Sequence, residues 1–395
     1  MSDLVRLTAV FVLILFLLRR KINVGFVMMI AAALLFLLYR MSPASILKTA
    51  GGALLNSVTI KLILALSFIR IFEMILREHA VLTGMMDGVK ALFRNRKVVT
   101  ISMPLLIGLI PSVGGAYFSA PMVAETTRNV EVTPEEKGFI NYWFRHPWEY
   151  ILPLYPGILL ASAVSRIELH TLITVNLSYA ALLVLTGFMF SMHGFKGMTQ
   201  TERFSAKALW SFVPIFAVLF LVVVGHIELH YALIAMVAIL FLFYRYKLAS
   251  VLASLRHGFS IEVIILIVGV MFFKEAMENS GAVNNLSRLF VREGIPASPI
   301  LFLLPFITGM LTGLTVGFVG STFPLIISLA GSAPTAAVSF AFASGFLGVL
   351  LSPTHVCLIL TKEYFKADLW GMYKMMIPGC LVIFLGAVLQ YLILK

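Results

Sequence analysis

Residues 104–115 read Pro104-Leu105-Leu106-Ile107-Gly108-Leu109-Ile110-Pro111-Ser112-Val113-Gly114-Gly115, and the apolar run continues through Ala116–Ala124. Proline and glycine at this density open backbone hydrogen bonds inside a stretch that is otherwise as apolar as a membrane span. Irregular backbone survives at membrane depth only when it is buried in protein or lines a cavity. The stretch therefore predicts a re-entrant hairpin that enters and leaves on one side. A second such stretch runs from Pro305 through Gly309, Gly313, Gly317 and Gly320 to Ser321-Thr322-Phe323-Pro324.

The two stretches belong to a longer internal repeat. Leu34–Arg40 matches Ile239–Arg245 at an offset of 205. In the same order, Arg70 aligns with Lys274, Pro104 and Gly108 with Pro305 and Gly309, and Pro121 with Pro324. Leu152-Pro153 aligns with Ser352-Pro353, and Glu168-Leu169 with Asp368-Leu369. The chain reads as two repeats, 1–195 and 205–395, joined by the polar stretch His193–Arg203. In the first, scaffold helices occupy 1–97 and the hairpin and transport helices 98–192; in the second the same parts fall at 205–294 and 295–395.

Composition fixes the class. The 395 residues are 60% hydrophobic and 12% charged, and mean hydropathy is +1.00. A soluble domain carries about 45–50% apolar and about 25% charged residues, so a soluble enzyme, a disordered chain and a disulfide scaffold are excluded. A span needs about 20 apolar residues. Candidate spans are Phe26–Tyr39, Ala53–Met74, Ile140–Ala163, Leu172–Phe190, Leu209–Gly225, Leu229–Tyr246, Ile261–Phe273, Pro334–Leu360 and Met376–Leu394. Leu7–Leu18 is short; a signal peptide is the rival reading, but no small-residue cleavage site precedes Arg19-Arg20-Lys21. The expected fold is an all-α polytopic membrane protein of two inverted repeats, each with about five transmembrane helices, one re-entrant hairpin and a broken helix. The odd number of crossings per repeat is what inverts the second.

The net charge of +12 reads as topology rather than nucleic-acid binding. With the Arg19–Lys21 loop in the cytoplasm, nineteen of the 30 Lys and Arg residues fall on cytoplasmic segments. Seven fall outside, and Lys61, Arg70, Arg145 and Lys274 fall within spans. This bias satisfies the positive-inside rule and puts both termini outside a cytoplasmic (inner) membrane.

The fourth span of each repeat is interrupted, at His146-Pro147 through Pro156-Gly157 and at Ser352-Pro353. Paired Gly/Pro-interrupted segments at matching places in two halves point to a transporter's binding site. The first hairpin tip offers Ser112, Val113, Gly114 and Gly115; the second offers Thr315, Ser321 and Thr322. Half-helix N-termini meeting there present positive dipoles to an anion, and unwound carbonyls can hold a cation. Ser112, Gly114, Thr315 and Gly317 are candidate Na⁺ positions. Close packing through small residues is the competing account.

A charge in an apolar span costs at least about 2.5 kcal/mol, so Arg145, His146 and Glu149 at the first break need a reason. One is a self-satisfying Arg145–Glu149 pair at i,i+4; the other is Arg145 binding a carboxylate while Glu149 or His146 takes a coupling proton. His355 lies in the second break with Ser352 and Thr354, and Trp148, Tyr150 and Tyr155 flank the first. Local pairing is expected for Arg70 with Glu73 and for Lys274 with Glu278, whereas Lys61 lies deeper with no local partner. Cys357 and Cys380 sit in apolar runs without metal-like spacing. No Walker A, His-Glu-x-x-His or Gly-x-Ser-x-Gly motif is present. Glu125, Glu131, Glu135, Glu136 and Lys137 form a polar connector in which Thr133-Pro134 opens the next helix.

Three motifs carry a family resemblance: Pro111-Ser112-Val113-Gly114-Gly115-Ala116-Tyr117, Tyr142-Trp143-Phe144-Arg145-His146-Pro147-Trp148-Glu149 and Ser352-Pro353-Thr354-His355-Val356-Cys357. They resemble an uncharacterised prokaryotic membrane family of the ion-transporter superfamily, alongside gluconate permeases, C4-dicarboxylate carriers and citrate and divalent-anion symporters. The resemblance spans essentially the whole chain. It implies a homodimer in the lipid bilayer, a mobile transport domain and elevator-type exchange of a small anionic solute with Na⁺ or H⁺, with no cofactor. The Na⁺-coupled dicarboxylate branch carries Ser-Asn-Thr at its hairpin tips, and this sequence does not. The expectation is a secondary active transporter and not an enzyme. Its rival is an intramembrane enzyme using Arg145, His146, Glu149 and His355.

Overall fold

A computed structural model describes residues 3–93, 95–111, 115–128, 130–191, 210–282, 285, 296–330 and 334–395. These residues form an all-helical protein with no strand among them. The first part comprises α1 (Asp3–Arg19), α2 (Val24–Leu38), α3 (Pro43–Leu55), α4 (Ser57–Glu78), α5 (Val81–Leu92), α6 (Arg96–Gly108) and α7 (Gly115–Thr126). Next come α8 (Pro134–Trp143), a 3₁₀ turn (Pro147–Tyr150), α9 (Pro156–Ser165) and α10 (Leu169–Phe190). The second part comprises α11 (Val213–Val223), α12 (Leu229–Phe243), α13 (Leu248–Gly258), α14 (Ile261–Asn279), α15 (Ser298–Thr312) and α16 (Thr315–Leu329). It ends with α17 (Pro334–Leu350), α18 (Val356–Phe365) and α19 (Leu369–Leu394).

Local chemistry explains the boundaries that matter for the site. Thr133 caps α8 by accepting from the Glu136 backbone N–H at 3.2 Å, with Pro134 in the first turn and Glu135 and Glu136 behind it. The helix stops at Trp143, and Pro147, Pro153 and Pro156 keep residues 144–155 from closing an α-helical ladder. In the second half Pro353 does the same between α17 and α18. Non-glycine residues in the left-handed region fall at matched places: Lys21 and His226, Arg40 and Arg245, Arg166 and Lys366, at offsets of 205, 205 and 200. Arg166 and Lys366 directly follow α-helices, and Arg40 and Arg245 come one residue later, after the caps Tyr39 and Tyr244, positions at which a left-handed residue ends a helix.

The helices pair reciprocally. α2 packs on α14, and α12 on α4; α3 packs on α14, and α13 on α4. Further in, α7 meets α18, and α16 meets α9. α17 lies at the centre, with every residue from Ala336 to Leu350 buried. α15 crosses it in backbone contact, because a Cβ on Gly309 would stand 2.1 Å from the Gly345 carbonyl oxygen.

Among the described residues two helices, α10 and α19, are long and apolar enough to cross a membrane. The expected spans at α2, α11 and α12 form as apolar helices but hold only 15, 11 and 15 residues, below the ~20 of a straight crossing. Two further expectations are corrected. Lys61 sits near the start of α4, half-exposed, and its Nζ pairs with Glu228 Oε2 at 2.7 Å. Glu73 pairs with Arg77 one turn on, because i,i+4 suits these side chains as well as the i,i+3 spacing to Arg70. Lys274 does pair with Glu278, at 2.9 Å.

Candidate functional site

The two interrupted helices meet. His146, just past the end of α8, and His355, just before α18, approach with their Nε2 atoms 3.3 Å apart. Both rings are buried. The Nδ1–H of His146 donates to the Tyr142 backbone carbonyl at 2.6 Å; a carbonyl can only accept, so the bare lone pair of that ring is on Nε2. Tyr142 in turn donates its hydroxyl to the Leu350 carbonyl at 3.0 Å, tying the end of α8 to the end of α17. Arg145 donates through Nη1 to Cys357 Sγ at 3.2 Å. Glu149, buried in the 3₁₀ turn, has Oε1 3.8 Å from His146 Nε2 and accepts from Thr315 Oγ1 through Oε2 at 3.3 Å. Because the chain from 144 to 155 is not α-helical, Arg145 and Glu149 do not stand one helical turn apart.

Both hairpins are seated on the breaks by hydrogen bonds to their own carbonyls. Trp148 Nε1 donates to Leu105 O at 2.7 Å and the Tyr155 hydroxyl to Gly108 O at 2.7 Å. Ser352 Oγ donates to Met310 O at 2.6 Å and Thr354 Oγ1 to Leu311 O at 3.4 Å. α15 turns into α16 at Gly313, whose φ of +63° is the left-handed conformation that glycine adopts without strain. A Cβ there would also stand 2.9 Å from the His355 nitrogen, so the tip lies directly on the second break.

Beside this locus is a cavity of about 1230 Å³. Its lining includes Pro111 and Thr312 from the hairpins, Pro353 and Thr354 from the second break, and Leu66, Arg70, Glu73 and Arg77 from α4. Pro156, Val316 and Val356, from the first turns of α9, α16 and α18, face it as well. Arg19, Lys21, Arg70 and Arg77 contribute four positive charges to the lining, against Glu73 and Glu262.

Of the residues singled out from sequence, the structure brings Arg145, His146, Glu149, Thr315, Ser352, Thr354 and His355 together. Trp148 is half-buried and holds the first hairpin. Ser321 and Thr322 return their hydroxyls to the Gly317 and Phe318 carbonyls of α16, at 2.6 and 2.7 Å. Gly115 is the first residue of α7; Ser112, Val113 and Gly114 lie outside the described residues.

The family model described as "Protein of unknown function (DUF401)" matches residues 1–394. The chain belongs to this family. No curated protein matches the chain. In this chain the fold makes Cys357 part of the same locus as the two histidines, although its sequence spacing is not metal-like. The signal was its position two residues after His355 and directly past a proline break, but its partners Arg145 and His146 lie more than two hundred residues upstream.

Proposed function

We propose that this chain is a secondary active transporter rather than an enzyme, carrying a small anionic, carboxylate-like solute across a membrane with H⁺ or Na⁺ as coupling ion. The observation that carries this reading is the cavity lined by the first turns of α9, α16 and α18 at the two breaks. Each helix N-terminus carries about half a positive charge from its aligned peptide dipoles, and the excess of basic side chains in the lining adds to it. A concave site of one sign concentrates solutes of the other. Arg145, at the buried end of the locus, offers the planar fork that suits a carboxylate.

Membrane residence is supported by the inside-out distribution of polarity. Leu37 and Leu242, at matched positions, are 75% and 79% exposed, while Arg145, His146, Glu149 and Lys274 are buried. Apolar exposure of this extent suits a lipid surface or a partner. The reciprocal helix pairings and the paired left-handed residues support two inverted repeats. Under the positive-inside rule the cavity opens beside Arg19 and Lys21 to the cytoplasm. An elevator movement would carry α6–α10 and α15–α19 past the remaining helices, which would hold the contact between two copies.

A thermal-shift screen of the detergent-purified chain tests the binding step. Mono- and dicarboxylates, phosphonates and amino acids are scanned with and without Na⁺ and across pH. The expected outcome is a rise in Tm with at least one class of carboxylate. A folded protein that responds to no anion contradicts the reading.

A further inference from the structure

We propose that His146, His355 and Cys357 form a binding site for one thiophilic transition-metal ion, Zn²⁺, bridging the two broken helices. This goes beyond the transport reading and does not rest on it. The ligand atoms of His146, His355 and Cys357 lie within 4.8 Å of one another, and all three residues are buried. Two Zn–N bonds of about 2.0–2.1 Å at a tetrahedral angle place their nitrogens about 3.3–3.4 Å apart. The two Nε2 atoms stand at 3.3 Å. Two imidazoles and one thiol converging in this way are a borderline-to-soft donor set, which selects Zn²⁺ over Na⁺, Mg²⁺ or Ca²⁺.

The surroundings are those a metal-binding histidine needs. A ligating imidazole commonly donates its other N–H to a backbone carbonyl, which fixes the tautomer and the ring orientation. His146 does this through Tyr142. The three ligands leave a fourth position for an exogenous donor; Glu149, with Oε1 3.8 Å from His146 Nε2 and its other oxygen held by Thr315, lies outside the ligand set. Arg145 donates to the sulfur, as an outer-shell donor does for a metal thiolate. His355 Nδ1 is buried without a hydrogen-bond partner, so baring Nε2 leaves an unsatisfied N–H there, a cost that the metal–nitrogen bond must offset. The cavity wall includes Thr354 and Val356, the neighbours of His355, and so provides a route inward.

Binding balances without a redox step. Zn²⁺ leaves its waters, the Cys357 S–H bond breaks, its proton goes to solvent and a Zn–S bond forms. Any proton on His355 Nε2 is replaced by one on Nδ1. The Zn²⁺ ion, the Cys357 thiolate, the nearby Glu149 carboxylate and the Arg145 guanidinium sum to one net positive charge, so thiolate and carboxylate offset the ion at this buried locus. Because His146 belongs to one broken helix and His355 and Cys357 to the other, the ion would clamp the two halves together.

The test uses the full chain, purified in detergent and loaded with Zn²⁺ or with Co²⁺ as a spectroscopic stand-in. X-ray absorption at the zinc edge is expected to show one ion per chain with one sulfur at about 2.3 Å and nitrogen or oxygen at about 2.0–2.1 Å. The Co²⁺ form should show a thiolate charge-transfer band that persists in Cys380→Ser and disappears in Cys357→Ser, with at least a tenfold loss of affinity in the latter. Cys380 is the only other cysteine, which makes the assignment unambiguous. The absorption measurement needs no variant, so it stands even if Cys357→Ser fails to fold. A zinc shell without sulfur, no bound ion in folded protein, or a charge-transfer band that survives Cys357→Ser would overturn the proposal.

Discussion

The two broken helices hold their hairpins in different ways. At the first break, long aromatic donors, Trp148 and Tyr155, reach across to the carbonyls of α6. At the second, short hydroxyls on Ser352 and Thr354 touch the carbonyls of α15 directly. The matched glycines differ in the same sense. Gly108 rests on the Arg145 carbonyl, at the break itself, with a Cβ separation of 2.3 Å. Gly309 rests on the Gly345 carbonyl, inside the wholly buried α17, at 2.1 Å. The charged side chains Arg145 and Glu149 sit only at the aromatic-anchored break. Repeated architecture here fixes where each hairpin lies, while the side chains decide how rigidly it is held and where charge can be kept.

The largest expected effect separates the glycines. Gly309→Ala forces a methyl group into a helix that cannot yield and should cost about 3 kcal/mol. Gly108→Ala meets a carbonyl in irregular backbone and should cost about half as much. Gly51→Ala, in α3 with open space around it, should instead stabilise slightly, as a glycine removed from a helix interior does. Thermal denaturation in one detergent ranks the three. Equal losses at 108 and 309 would remove the distinction between a loose and a rigid break.

The anchors come next. Trp148→Phe leaves the Leu105 carbonyl without its donor and should cost about 2 kcal/mol, whereas Ser352→Ala should cost about 1 kcal/mol because the Thr354 hydroxyl stays beside the same tip. Limited proteolysis across 96–126 and 298–329 should show the first hairpin loosening in one variant and the second in the other.

How much of this was legible in the sequence follows from the range of each interaction. The breaks were readable because proline acts on its own backbone: Pro147, Pro153 and Pro353 stand where helices end, whereas Pro104, Pro121, Pro305, Pro324 and Pro378 lie inside helices that continue past them. The Thr133 cap was readable because its partner is three residues away. The hidden part is long-range. Lys61 finds Glu228 and Cys357 finds Arg145 across 167 and 212 residues, and no local pattern encodes such meetings. Helix lengths were also overestimated, since an apolar run such as Leu229–Tyr246 reads as one span until Tyr244 and Arg245 leave the helical path.

The smallest effect lies at the connector between the two halves of the locus. Glu135 Oε1 accepts from the Asp368 backbone N–H at 3.0 Å, and this hydrogen bond to the charged form holds its carboxyl below the usual value. A lowered folded value means that the stabilisation is full above the ordinary carboxylate range and fades as pH falls through the lowered value. At this exposed position screening keeps it small. Glu135→Gln should therefore melt slightly below the wild type at neutral pH, and the gap should close in acid. A constant gap would show that the hydrogen bond, and not the charge, matters.

The measurement that bears most directly on the transport reading is uptake into proteoliposomes. The responding carboxylate from the thermal-shift screen is offered in labelled form to the wild type, Arg145→Lys and Gly51→Ala. The account predicts accumulation by the wild type and by Gly51→Ala, and loss in Arg145→Lys, which keeps the charge but not the planar fork. Unchanged uptake in Arg145→Lys, or none by folded wild type, would contradict it.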